Sequence, residues 1–174
     1  MSLFSKTPIQ QAEAILRRNN CDYSINEDNS LIIHLDDSNI VDIPVFVIIE
    51  FWDTTSTFHI SVAEDTEDDV LSVPPERLDD MLYFANLCNS KLLRKLFQCM
   101  HVSDDDLIVM SMALHNRDLD EIYQGILMMA TYFSCFVPAF SEVLSGAPRS
   151  AYDSLIKERL EIASNQMNRF LKGE

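Results

Sequence analysis

Two periods of apolar residues alternate along this chain. Between Thr7 and Asn19, Ile9, Ala12, Ile15 and Leu16 recur at the spacing of one helical face. Thr7 is a good N-cap, and Pro8 suits a first helical position, where its missing N–H has no partner to lose. Asn19-Asn20 predicts the end of this helix. Period two then takes over. Tyr23 and Ile25 alternate in a short strand, Glu27 to Ser30 has turn composition, and Leu31, Ile33 and Leu35 form the returning strand. Pro44 to Trp52 is strongly strand-like, with Val45, Val47, Ile49 and Phe51 on one face and Phe46, Ile48 and Trp52 on the other, Glu50 between them. A strand that is apolar on both sides is buried twice or meets a partner. After a turn over Asp53 to Ser56, Phe58, Ile60 and Val62 alternate with His59, Ser61 and Ala63.

The helical period returns after Glu64 to Asp69, an acidic loop by composition. Val73-Pro74-Pro75 opens a second helix with Leu78, Met81, Leu82, Ala85 and Cys88 as its stripe, ending near Asn89-Ser90. Leu96 to His101 and Leu107 to Leu114 read as a hairpin around Ser103-Asp104-Asp105-Asp106. Asp118-x-x-Glu121 has the form of a capping box for a third helix, apolar almost all round and so central to the core. Its apolar run, Ile126 to Phe140, is shorter than the ~20 residues of a membrane span and contains Pro138. Pro138 and Gly146-Ala147-Pro148 are expected to punctuate the chain. A final helix from about Ser150 carries Tyr152, Leu155, Ile156, Leu160, Ala163, Met167, Phe170 and Leu171 on one stripe. The order α-β-β-β-β-α-β-β-α-α predicts an α+β fold with a mostly antiparallel sheet and helices grouped on one face.

Charge narrows the partners. The 174 residues carry a formal net charge of −15. Residues 1–90 hold 4 Lys and Arg against 17 Asp and Glu, and the remainder is nearly balanced. Nucleic acid and anionic membranes are therefore unfavourable partners, and a basic one is favoured, although a negative surface also simply promotes solubility. No basic n-region precedes an apolar stretch at the N-terminus, and Cys21, Cys88, Cys99 and Cys135 form no CxxC pair. Free thiols in a reducing cytoplasm are the expectation.

Order of elements and a few positions give the chain a familiar outline. The first helix feeds a Cys21-Asp22-Tyr23 strand, and Val45 to Trp52 is followed by a hairpin mate ending near Ala63. Val73-Pro74 opens a helix through Phe84-Ala85-Asn86 and Cys88-Asn89; Phe97-Gln98-Cys99, a turn, the strand Leu107 to Leu114 and a long apolar helix follow. In these features, over about residues 8–144, the chain resembles the YbjN-like family, described as bacterial sensory transduction regulators sharing the fold of type III secretion chaperones. The resemblance implies a small, acidic, homodimeric protein that binds an extended segment of another protein and has no enzymatic activity. It carries over no functional residue. It divides the chain into a secretion-chaperone-like domain over 1–148 and a C-terminal amphipathic helical extension over 149–174.

Cys99-x-His101 would place two zinc ligands on one strand face, and His34 or His59 could add to them only from adjoining strands; a structural site wants four. Asp104-Asp105-Asp106 lacks the spaced oxygens and glycine of a calcium loop. With three glycines in the chain, no phosphate-cradling loop and no GxSxG elbow occur. No metal or cofactor is expected, and no catalytic residue. Phe46, Ile48 and Trp52, with Leu107 and Val109 on a second strand, are instead the candidate partner or dimer interface, unless the C-terminal helix lays its stripe over them. The competing expectation is a small-molecule or enzymatic pocket between sheet and helices.

Overall fold

The computed structural model describes residues 6–35, 44–62, 72–91 and 98–172. Helix α1 (Pro8–Arg18) begins as its sequence predicts. Thr7 accepts from the Gln10 N–H, and the Gln10 side chain returns the bond to the Thr7 N–H. It ends with Asn20 in the left-handed region at φ 54°, where the Cys21 N–H reaches back to the Leu16 carbonyl. Strands β1 (Tyr23–Ile25), β2 (Leu31–Leu35), β3 (Val45–Phe51) and β4 (Thr55–Val62) follow. After a 3-10 turn comes α2 (Leu78–Lys91), then β5 (Gln98–Val102), β6 (Ile108–His115), α3 (Ile122–Leu144) and α4 (Tyr152–Lys172). The sheet has six strands in the order β1-β2-β3-β4-β6-β5, antiparallel throughout. The α+β class and the element order are those the periodicity predicts. The acidic run Glu64 to Asp69 and the start of the strand expected from Leu96 lie outside the described residues.

The helices share one face of the sheet. Val45, Val47 and Ile49 of β3, Phe58 and Ile60 of β4 and Met110 of β6 are fully buried beneath them. α3 packs on β4 and β6, α2 on β5, and α1 on α3. α3 is buried nearly all round because α4 covers its outer side, which turns the core into three layers around one helix. Phe84 of α2, Phe140 of α3 and Tyr152 of α4 meet edge to face there.

Four expectations are corrected. Pro138 lies inside α3 rather than ending it. Proline costs a helix interior about 3 kcal/mol, but Phe133, Phe136 and Phe140 on the flanking turns are buried by the same continuous helix, which outweighs it. α3 begins at Ile122, later than the capping-box reading puts it, with Glu121 at its N-cap position and no capping bond from that side chain. Asp118 is a non-helical kink at φ −102° within the 3-10 segment Asn116–Glu121, which precedes the helix and buries Leu119. Leu82 is exposed, because α2 meets its neighbours along the narrow stripe Met81, Phe84, Ala85 and Cys88. Finally, α4 does not cover the face of Phe46 and Ile48; it packs on α3 and α2, on the opposite side of the sheet.

The junction between α3 and α4 does form where Gly146-Ala147-Pro148 predicts it. Gly146 adopts φ 95°, its N–H bonds the Val143 carbonyl, and the Ala147 N–H bonds that of Glu142. This double reversal satisfies the last carbonyls of α3 and aims the chain back along it. Arg149 then donates to Asp80 at 2.8 Å and lies over the Tyr83 ring, which fastens the start of α4 to α2.

Candidate functional site

The strand period leaves a second sheet face, and none of the four helices packs on it. Register defines its rows. Ile32, Ile48, His59, Ser111 and Cys99 stand side by side across β2, β3, β4, β6 and β5. In the next row His34 faces Phe46, Phe46 faces Ser61, and Val109 faces His101. Phe46, Ile48 and Val109 are half-buried by their neighbours. Leu107, half-buried, precedes β6 and bridges to Ser72. Trp52 follows β3 and is 61% exposed, more than any other large apolar side chain described.

Four of the five candidates thus form two apolar groups on this side of the sheet, and Trp52 stands past the end of β3. Phe46 and Ile48, with Ile32, make one; Val109 and Leu107 make the other. Between them runs a polar strip, Ser61, His59 and Ser111. His59 Nδ1 lies 2.8 Å from Ser111 Oγ, and its Nε2 lies 3.7 Å from a Glu50 carboxylate oxygen. Ser61 donates to the Ile108 carbonyl. Ser61 is itself buried, and the Ser61 and Ser111 hydroxyls both find partners within the sheet. Serine, histidine and a carboxylate do meet here. Ser111, however, sits on a strand paired on both sides, where backbone amides are committed to the ladder rather than turned toward a substrate oxygen.

Trp52 stands on a fixed backbone despite its exposure. Its N–H donates to the Thr55 carbonyl at 2.8 Å, and its own carbonyl accepts from Asn116 Nδ2 at 2.7 Å. Asn116 also accepts from Ser56 Oγ at 2.6 Å, and its N–H donates to the Thr54 carbonyl. One asparagine therefore ties the end of β6 to the β3–β4 hairpin. Beside Trp52 a cleft of about 600 Å³ opens between the β1–β2 turn, the end of β3 and the first turn of α1.

Cys99 and His101 share the open face, as their spacing requires, and His59 lies near enough to His101 to depress its pKa further, below what partial burial alone does. Among the described residues no three His, Cys, Asp or Glu side chains gather as metal ligands. None of the four cysteines is in a disulfide: Cys99 is exposed, Cys21 half-buried, Cys88 and Cys135 buried, the Cys135 thiol donating to Gln166 Oε1 at 2.9 Å and burial pushing the Cys88 thiol far up. One segment of the described residues, Asp118–Leu144, has the length and hydropathy of a membrane span, and 78% of its apolar window is buried inside the fold.

Sequence reasoning placed four of the five apolar candidates on their face but missed Asn116 and the Glu50–His59–Ser111 contacts. Asn116 is 64 residues from Trp52 and carries no periodic signal. The histidine contacts were open to strand parity, since Glu50 and His59 point the same way once the hairpin register is known. Compared with known protein families and with curated proteins, the chain matches none.

Proposed function

We propose that this chain is a non-catalytic protein-binding module, chaperone-like or regulatory, that captures a segment of another protein on the open face of its sheet. The observation that carries the reading is the one-sided packing. All four helices lie on one face, while the other keeps Phe46, Ile48 and Val109 half-buried with Trp52 exposed at its end. An apolar patch rimmed by polar groups is the ordinary mark of an interface, and an exposed tryptophan on a held backbone is a common anchor. The acidic N-terminal half favours a basic partner and disfavours nucleic acid. The resemblance to the YbjN-like family and to secretion chaperones points the same way, and we place the chain in the cytoplasm.

Trp52→Ala tests this. The indole buries little of its own surface in the fold, so the variant is expected to melt within about 1 kcal/mol of the wild type. Partner capture, or self-association measured by light scattering, should fall at least tenfold. Equal losses of binding and stability would make Trp52 a packing residue and remove it from the interface. A dimer that Phe46→Ser dissolves would make a second copy of this chain the occupant.

A further inference from the structure

The cleft beside Trp52 differs from the rest of the open face in its chemistry. Ile9, Ile48 and Phe51 line it with apolar groups, Trp52 with an exposed aromatic side chain, and Glu50 and Asp28 with two carboxylates. Asp28 is exposed on the β1–β2 turn, and the Glu50 side chain is 43% exposed. That turn is held in place by Asn26, whose side-chain oxygen accepts from the Asp28 and Ser30 N–H groups. The aromatic wall is fixed by Asn116, as described above. Both walls are therefore preorganised, and the field between them is negative.

We infer that this cleft is the subsite for an arginine side chain of the captured segment, which rests on the binding reading given above. Tryptophan is the best aromatic partner for a cation, and a guanidinium can stack flat on the indole while its edge pairs with a carboxylate. Its alkyl stem would lie along Ile9, Ile48 and Phe51. Glu50 joins the cleft to the sheet face, since its neighbour two residues back is Ile48 and its carboxylate lies 3.7 Å from His59 Nε2. An extended segment with an arginine flanked by apolar residues therefore fits both surfaces at once.

The probe is a blocked pentapeptide, Thr-Ile-Arg-Ile-Thr, compared with the same peptide carrying citrulline, which keeps the shape and loses the charge. Trp52 is the only tryptophan of the chain, so its emission reports the cleft directly, and calorimetry reports binding anywhere. The arginine peptide should bind about tenfold more tightly than the citrulline peptide at low salt. That preference should fall to about unity in a Glu50→Gln, Asp28→Asn double variant that melts like the wild type. Equal binding of the two peptides, both weakened by Phe46→Ser, would overturn the arginine subsite and leave the sheet face standing as a binding surface. Absence of any heat or emission change with either peptide would overturn the subsite alone, because capture of a native partner is measured separately with Trp52→Ala.

Discussion

Asn89 behaves like a piece of backbone. Its side-chain amide donates to the Met100 carbonyl at 2.8 Å and accepts from the Met100 N–H at 2.7 Å, so it pairs with β5 where a seventh strand would otherwise add. An open strand edge is a template for unwanted association. Asn89→Ala leaves two backbone groups of an edge strand without partners, and is expected to cost about 1–3 kcal/mol in a melting experiment. Asn89→Asp keeps the acceptor and loses the donor, and should fall between. At the same scale, His101 makes the fold sensitive to acid. Partial burial, helped by His59, lowers its pKa from the ordinary 6.5. Below 6.5 the unfolded chain takes up this proton before the folded one does, so stability should decline as pH falls through that value and level off below the folded pKa. The decline should be shallower in His101→Asn; an unchanged slope would assign it to other groups. Neither role was legible in the sequence, where Asn89 is a helix-ending residue and His101 one of four scattered histidines. Both depend on which strand lies beside which, and local pattern does not carry that.

Elements were legible where a period and its punctuation agreed. Val45 to Phe51 alternates without a break, and every residue from Val45 to Ile49 takes the face its parity assigns. α1 has both its cap and its terminating asparagines. α3 is the instructive failure, because Pro138 is a local signal and burial is a tertiary one. When a helix is covered by a sheet on one side and by α4 on the other, the tertiary gain dominates. α2 fails in the opposite direction. Leu82 fits an apolar stripe as well as Phe84 does on paper, but only Phe84 reaches the aromatic cluster with Phe140 and Tyr152. Phe84→Ala should therefore destabilise by about 3–5 kcal/mol, and Leu82→Ala by less than about 1 kcal/mol, in chemical denaturation. Similar losses would mean that α2 packs through a broader face than its buried residues indicate.

Packing makes the whole molecule asymmetric. α4, which sequence reasoning set apart as an extension, contributes Tyr152, Leu155, Ile156 and Ala163 to the common core and is tied to α2 through Arg149 and Asp80. Removing residues 149–174 should therefore expose Phe84 and Phe140 and lower the melting temperature sharply rather than yield a stable core; a truncated chain that melts like the full one would contradict this. With every described helix on one side, no described helix covers the other face. The five apolar candidates could be picked from strand parity, whereas the division of Phe46 and Ile48 from Leu107 and Val109 by His59, Ser61 and Ser111 needed the order of β3, β4 and β6. The most direct test replaces Ile48 with photo-reactive benzoylphenylalanine in the full chain, with Glu161 on the exposed side of α4 as control, and irradiates native lysate. The account predicts one dominant protein adduct from position 48 and none from position 161. Adducts at both positions alike, or at 161 alone, would contradict it.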